Sequence, residues 1–170
     1  MTPDTSENKI QQNSINLLQS LGYKFISREE NLKLRGGKTS DVLFREILTK
    51  KLSEINGYEY KGKRYEFSRS NVLKAVDELA GVSLNEGLMV ANERITNFLL
   101  LGTSLEENLE DGTRRSFSFK FIDFENLQNN DFYVTEEFEV SRANQSDSAK
   151  NRRPDLVLFY KRHTHGRDRA

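Results

Sequence analysis

The chain has 170 residues, enough for about one domain with a single modest hydrophobic core. It carries 26 Lys and Arg against 26 Asp and Glu, which excludes a globally basic nucleic-acid binder, so any such contact requires a local basic patch. Eleven Phe and six Tyr indicate a packed interior, and the lack of Cys excludes disulfides and thiolate metal sites.

The sequence shows neither a targeting signal nor a membrane span. Its first ten residues are polar, and its longest apolar stretch, around residues 98–101, is far shorter than a bilayer requires. We therefore expect a cytoplasmic protein that has no membrane partner.

The first half of the chain has the apolar spacing of amphipathic helices. The apolar residues within 10–21 recur at helical intervals, and Gly22 follows as a residue typical of a helix C-terminus. Ser40-Asp41 is typical of an N-cap for a second helix, which Gly57 would end. Segments 58–65, 72–79 and 86–101 follow: the first is a hairpin or a loop, and the other two are predicted helices.

After Gly112 the apolar period changes to that of β-strands. Phe117, Phe119 and Phe121 alternate with polar residues, which predicts a strand whose Phe face lies in the core rather than stacking on bases. The turn 129–131 leads to a second strand. The predicted buried face of that strand is Phe132, Val134, Phe138 and Val140.

A third strand, residues 156–160, is apolar on both faces, which is typical of a central strand. The predicted fold class is α+β, with N-terminal helices packed on an antiparallel β-meander. Asp123 and Asp131 are interpreted as strand-end and turn residues. The acidic run is interpreted as a solvated sheet face rather than a set of metal ligands: Glu136, Glu137 and Glu139.

Arg152-Arg153-Pro154-Asp155 precedes the third strand and contains the most informative carboxylate. Burying Asp155 beside an apolar strand is costly unless it is paired or binds a metal. At the mouth of such a strand a carboxylate can hold Mg²⁺, which accepts one or two carboxylates and keeps several waters. The alternative is that Asp155 only caps a turn with Pro154.

Basic residues flank this carboxylate. Clustered cations of this kind can contact nucleic-acid phosphates, which adds affinity without sequence information; the alternative is a solvated loop. The predicted DNA-binding residues are Arg142, Lys150, Arg152 and Arg153.

Two other patterns do not predict a site. The sequence pattern places no third metal ligand beside His163 and His165, so we interpret them as polar residues of the C-terminal tail and not as a metal site. The stretch 36–39, Gly-Gly-Lys-Thr, lacks the earlier Gly after a strand that a Walker A loop requires.

Four segments carry a family resemblance when they are taken together. They are Leu18-Gln19-Ser20-Leu21-Gly22-Tyr23, Ile122-Asp123-Phe124-Glu125-Asn126, Asn129-Asn130-Asp131-Phe132 and Arg152-Arg153-Pro154-Asp155-Leu156-Val157-Leu158-Phe159. In this order, over residues 10–160, the sequence resembles the N-terminal nuclease region of the R (restriction) subunit of type I restriction enzymes.

The resemblance implies a PD-(D/E)xK endonuclease with a partial restriction-endonuclease-like core. Asp155 would be the first metal-binding and catalytic carboxylate, and Mg²⁺ would activate water and neutralise developing charge. The implied partners are double-stranded DNA and the methylation and specificity subunits of the type I complex. ATP would be used only by motor domains, which are absent from this chain.

Two features depart from the family pattern. The third strand is not followed by an apolar strand ending in Glu-x-Lys; Asp168 stands near the expected distance, but Ala170 stands in place of the lysine. The Glu that the family carries on its first helix is matched by Gln11 or Gln12, with Glu7 as an alternative. We interpret Asp168 as part of a solvated terminus.

We therefore expect residues 1–160 to form an incomplete, truncated nuclease-like domain and residues 161–170 a basic, flexible tail. The isolated chain is expected not to cut DNA because Asp155 lacks its partners. The alternative is a non-catalytic module that binds DNA or other subunits. Without a following strand, the third predicted strand would be an exposed edge and a template for self-association.

Overall fold

The computed structural model describes residues 5–83, 85–141 and 152–161, with side chains described from residue 8 to residue 159 of these ranges. The chain divides into two compact units, Met1–Phe44 with Asn130–Ala170, and Arg45–Asn129. Both contain helices and strands, which confirms the α+β class. Within the described ranges, no helix combines the length and the apolar character that crossing a bilayer requires.

The described elements alternate along the chain. The helices are α1 (Thr5–Ser20), α2 (Arg28–Leu34), α3 (Arg45–Ile55), α4 (Arg69–Ala80) and α5 (Leu88–Leu101), with a short 3-10 helix at Leu127–Asn129. The strands are β1 (Lys24–Ile26), β2 (Tyr58–Tyr60), β3 (Lys63–Tyr65), β4 (Thr103–Asn108), β5 (Arg114–Phe119), β6 (Asp131–Glu136) and β7 (Leu156–Lys161).

The first unit contains a three-stranded sheet in the order β1-β6-β7. Strand β6 runs parallel to β1 and antiparallel to β7, so Val134 lies between Phe25 and Leu158. Helix α1 ends as predicted, because Gly22 adopts a φ of 94° and the Tyr23 N–H donates to the Leu18 carbonyl at 3.0 Å. The buried apolar residues of this unit are Ile15, Ile26, Phe44, Val134 and Phe138.

The second unit packs helices α3 and α4 with two hairpins, β2-β3 and β4-β5. Residues 58–65 are therefore a hairpin. Gly102 ends α5 with a φ of 74°, and a Cβ there would lie 2.2 Å from the Phe119 carbonyl oxygen, so only glycine fits. The core confirms the interpretation of the Phe stripe: it comprises Leu52, Ile55, Phe67, Val72, Ala75, Val76, Leu105, Phe119 and Phe121.

The predicted three-stranded meander is wrong in its first pairing, whereas the antiparallel pairing of its second and third strands, β6 and β7, is confirmed. Strand β5 pairs with β4 in the second unit, whereas β6 pairs with β1 and β7 in the first. Strand β4 was not predicted because Leu105 is its single large apolar residue and the other inward position is Glu107. That buried carboxylate is satisfied by Ser68, through its N–H and hydroxyl, and by the Asn71 amide.

Two boundaries also differ from the prediction. Helix α3 begins at Arg45, because Asp41 accepts a hydrogen bond from the Leu43 N–H at 3.1 Å and forms a local turn instead of an N-cap. Strand β6 ends at Glu136, because Glu137 adopts a φ of 45°. Strand β7 is an edge of the described sheet, as expected when no strand follows it, although its sequence pattern is typical of a central strand; Leu158 is 53% exposed.

Candidate functional site

Asp155 lies immediately before β7, and its side chain is exposed. Its backbone carbonyl accepts hydrogen bonds from the Glu137 N–H at 3.0 Å and from the Gln11 amide at 3.2 Å. Gln12 instead donates to Asn16 on its own helix. Of the two glutamines matched to the family's glutamate, Gln11 is therefore the one that α1 directs to Asp155. The side chain of Glu7 lies outside the described residues.

The segment around Asp155 is tied to the chain that follows β6. The Phe138 N–H donates to the Pro154 carbonyl at 3.2 Å, and Val140 and Arg152 exchange two backbone hydrogen bonds of 2.7 and 2.9 Å. Residues 138–140 thus pair with residues 152–154 in an antiparallel, irregular continuation of the β6–β7 pairing, which is interrupted at the left-handed residue Glu137. These bonds fix the backbone position of Asp155.

Helix α2 and its C-cap residue Arg35 present three polar side chains at helical spacing to β6 and to the segment after it. Arg28 contacts Glu137 at 3.1 Å, and the Asn31 amide donates to the Thr135 hydroxyl at 3.0 Å. Arg35 donates to the Glu139 carbonyl at 2.8 Å. The sequence reasoning did not identify this face, although the spacing of three and four residues behind the Ser27 cap was a usable signal.

Arg35 is almost fully buried, with 4% exposure. Its guanidinium donates to the Asn31 side chain and the Asp41 carbonyl, and lies 4.0 Å from the ring centre of Phe138. Its Nε has no hydrogen-bond partner among the described residues. Burial lowers the pKa of Arg35, while the charges of Asp41 and Glu139 oppose that shift. The buried Arg35 guanidinium therefore joins the segment that contains Asp41 to the segment that contains Glu139.

Of the predicted DNA-binding residues, Arg152 and Arg153 are described and exposed. The Arg153 guanidinium lies 3.5 Å from the Glu137 carboxylate, which Arg28 also contacts. Arg142 and Lys150 lie outside the described residues, so their contribution stays a prediction.

The acidic residues near Asp155 form ion pairs. Glu137 and Glu139 are partly exposed, at 41% and 31%, and both contact Arg28.

Asp131, the first residue of β6, is buried and lies 3.1 Å from Lys24. Asp123 is buried in the other unit, where Asn129, Lys120 and the Asn126 N–H donate to it.

The described residues do not complete a magnesium site. Among them, no three Asp, Glu or His side chains come close enough together to share a metal ion. The Gln11 amide beside Asp155 is hydrogen-bonded to the Asp155 backbone carbonyl, and the nearby Glu137 and Glu139 carboxylates contact Arg28. Asp168, His163 and His165 lie outside the described residues. The roles of Asp155 in catalysis and metal binding stay predictions.

The stretch 36–39 follows α2 and belongs to its C-terminal turn, where the Gly37 N–H donates to the Leu32 carbonyl at 2.9 Å. Gly36 and Gly37 have φ of 63° and 75°. No strand precedes this turn directly and no helix follows it directly, unlike in a Walker A loop.

Comparisons with known proteins identify a family for this chain. The family described as "Type I restriction enzyme R protein N terminus" matches residues 4–164. A Methanocaldococcus jannaschii protein named "Putative type I restriction enzyme MjaIXP endonuclease subunit" is 28% identical over 148 residues, 86% of this chain and 13% of that protein. The chain thus spans a small part of that relative. No solved structure matches. Because the family match covers nearly the whole chain, this chain belongs to the type I restriction enzyme R protein N-terminus family.

Proposed function

We propose that this chain is the endonuclease region of a type I restriction R subunit and that Asp155 is a metal-binding carboxylate of the DNA-cleaving centre. The observation that carries the proposal is the placement of Asp155: it is exposed, its backbone is fixed by Glu137 and Gln11, and the exposed Arg152 and Arg153 precede it. Cations beside such a carboxylate are suited to hold the DNA backbone.

In this proposal the divalent cation, Mg²⁺, supplies activation of water and charge neutralisation. The chain's own part is to present the Asp155 carboxylate, to hold its backbone through α1 and the 137–140 segment, and to bind phosphates. The substrate is double-stranded DNA, and the region acts together with the methylation and specificity subunits of the type I complex.

We further propose that the chain alone does not cleave DNA, because its described residues contain no group of three or more Asp, Glu or His side chains that could share a metal ion. A supercoiled-plasmid nicking assay with Mg²⁺ or Mn²⁺ tests this directly. We expect no metal-dependent nicking. Nicking that Asp155→Ala abolishes and Asp77→Ala preserves would refute inactivity while supporting Asp155 as the metal ligand; Asp77 is exposed in the other unit.

Metal binding is tested separately from cleavage. We expect Mn²⁺ to broaden the backbone NMR signals of residues near Asp155, and Asp155→Asn to remove this effect. The exposed carboxylate of Asp77 provides the matched variant, Asp77→Asn, which should leave it unchanged. Equal broadening in wild type and Asp155→Asn would exclude Asp155 as a ligand.

A second candidate is a non-catalytic DNA-binding module. It is favoured by exposed arginines at a site whose described residues include no group of three or more possible metal ligands. DNA binding that persists unchanged in Asp155→Asn, with neither nicking nor Mn²⁺ binding, would select this candidate.

A further inference from the structure

One carboxylate oxygen lies between two arginines beside the candidate site. The Oε2 atom of Glu137 lies 3.1 Å from a guanidinium nitrogen of Arg28 and 3.5 Å from one of Arg153. All three side chains are accessible, with exposures of 41%, 51% and 52% respectively. The two guanidinium groups therefore converge on a single anionic atom at the protein surface.

This arrangement has the chemistry of a phosphate site. Guanidinium groups bind carboxylate and phosphate oxygens with the same forked donors. Exposed ion pairs contribute little to stability, so a competing anion can displace the carboxylate at small cost. The Glu137 carboxylate thus occupies a position that an oxygen of a DNA phosphate can take.

The position is fixed relative to Asp155. The Glu137 N–H donates to the Asp155 carbonyl at 3.0 Å, and Arg153 precedes Asp155 by two residues. Glu137 adopts a left-handed φ of 45°, which is unfavourable for a residue with a side chain. Because both Glu137 and Arg153 are tied to the Asp155 backbone in this way, an anion held between Arg28 and Arg153 lies close to the proposed cleavage residue.

We propose that Arg28 and Arg153 together bind one DNA phosphate and that Glu137 occupies this site until DNA displaces it. The proposal rests on the proposed function, because it takes DNA as the ligand. Arg28 is a DNA contact that the sequence reasoning did not identify. Glu139, 3.7 Å from Arg28, is a second carboxylate at this position and also opposes phosphate entry.

Fluorescence anisotropy with a short labelled DNA duplex, over a series of salt concentrations, tests the site. We expect Arg28→Ala and Arg153→Ala each to weaken binding several-fold and to reduce the salt slope by about one. We expect Arg28→Lys to bind with intermediate affinity, because it keeps the charge but loses the fork. Glu137→Gln should bind several-fold more tightly than wild type, because it frees both guanidinium groups.

The pair Arg94 and Glu86 in the other unit provides matched controls, since it is an exposed ion pair of 2.8 Å. Arg94→Ala and Glu86→Gln change the net charge by the same amounts as Arg28→Ala and Glu137→Gln, and should change affinity much less. If Glu137 were only structural, Glu137→Gln would weaken binding instead of tightening it, which would overturn the inference.

The outcomes separate the two proposals. Absence of salt-dependent DNA binding by the wild-type chain would refute the proposed DNA contact altogether. The phosphate site alone would be refuted if the wild-type chain binds DNA but Arg28→Ala has the same DNA affinity as Arg94→Ala, and Glu137→Gln the same affinity as Glu86→Gln. Circular dichroism of each variant confirms that the fold is retained before affinities are compared.

Discussion

At the scale of single residues, the carboxylates of this protein fall into two groups with different environments. Asp123, Asp131 and Glu107 are buried, and each accepts hydrogen bonds from partners that offset the cost of removing charge from water. Asp155 and Glu137 are accessible and lie beside arginines. The buried group is suited to stability, and the accessible group to exchanging partners with a ligand.

The buried Asp123 makes stability depend on pH. Burial raises its pKa, but hydrogen bonds from Asn129 and Lys120, the Lys120 charge and the Asn126 N–H together lower it below its usual value. A lowered folded-state pKa means that this contribution is present above about pH 4, the pKa in the unfolded chain, and is lost as pH falls through the folded pKa.

We predict that Asp123→Asn is less stable than wild type near neutral pH, by about 1–3 kcal/mol, because one carboxylate oxygen becomes an NH2 group that faces a donor and the negative charge beside Lys120 is lost. This difference should shrink as the pH falls below about 4. Urea unfolding across a pH series measures both effects. Asp77→Asn is the control, since Asp77 is 69% exposed; a pH-independent difference for Asp123→Asn would contradict the prediction.

At the scale of elements, strand β7 is the feature with the clearest consequence. In the described part of the chain it pairs on one side only, with β6. Its Leu158 side chain is 53% exposed. An apolar edge strand of this kind offers unpaired backbone groups to a second chain.

We predict that the protein self-associates through β7 as its concentration rises, and that Leu158→Lys reduces this association because a charged edge resists strand pairing. Sedimentation velocity over a concentration series measures the effect. Leu32→Lys serves as control, because Leu32 is 38% exposed on α2 in the same unit. A wild-type chain that stays monomeric at high concentration would contradict the prediction.

At the scale of the whole molecule, the second unit, Arg45–Asn129, is continuous in sequence, whereas the first unit is formed by two segments that flank it in the chain. The second unit contains its own core of nine buried residues, from Leu52 to Phe121. The candidate site residues Gln11, Arg28, Glu137 and Asp155 all belong to the first unit.

We predict that residues 45–129, expressed alone, fold cooperatively, because every residue of their core lies within the fragment. Phe119→Ala should destabilise the fragment by about 3–5 kcal/mol, since it empties a fully buried position. Chemical denaturation followed by circular dichroism measures this. Phe124→Ala, at a position 51% exposed, should have little effect. A fragment without a cooperative transition would show that the unit depends on the rest of the chain.

Much of the local structure could be predicted from the sequence, because apolar period and caps act over a few residues. The end of α1 at Gly22 and the burial of Phe119 and Phe121 agree with the prediction. Strand β4 could not be predicted, because its inward Glu107 is satisfied by Ser68 and Asn71, about 35 or more residues away in sequence. A local pattern does not contain such partners.

The sequence by itself determined the family, the α+β class and the segment that carries Asp155, because these depend on residue order and on short-range periodicity. Only the tertiary structure decided which strands pair, which glutamine reaches Asp155 and that Arg28 and Arg153 share Glu137. The reason is physical: the pairing of β1 with β6 and the contacts of Gln11 with Asp155 and of Arg28 with Glu137 join residues more than a hundred positions apart. Chain closure over such distances is selected by the packing of the whole unit.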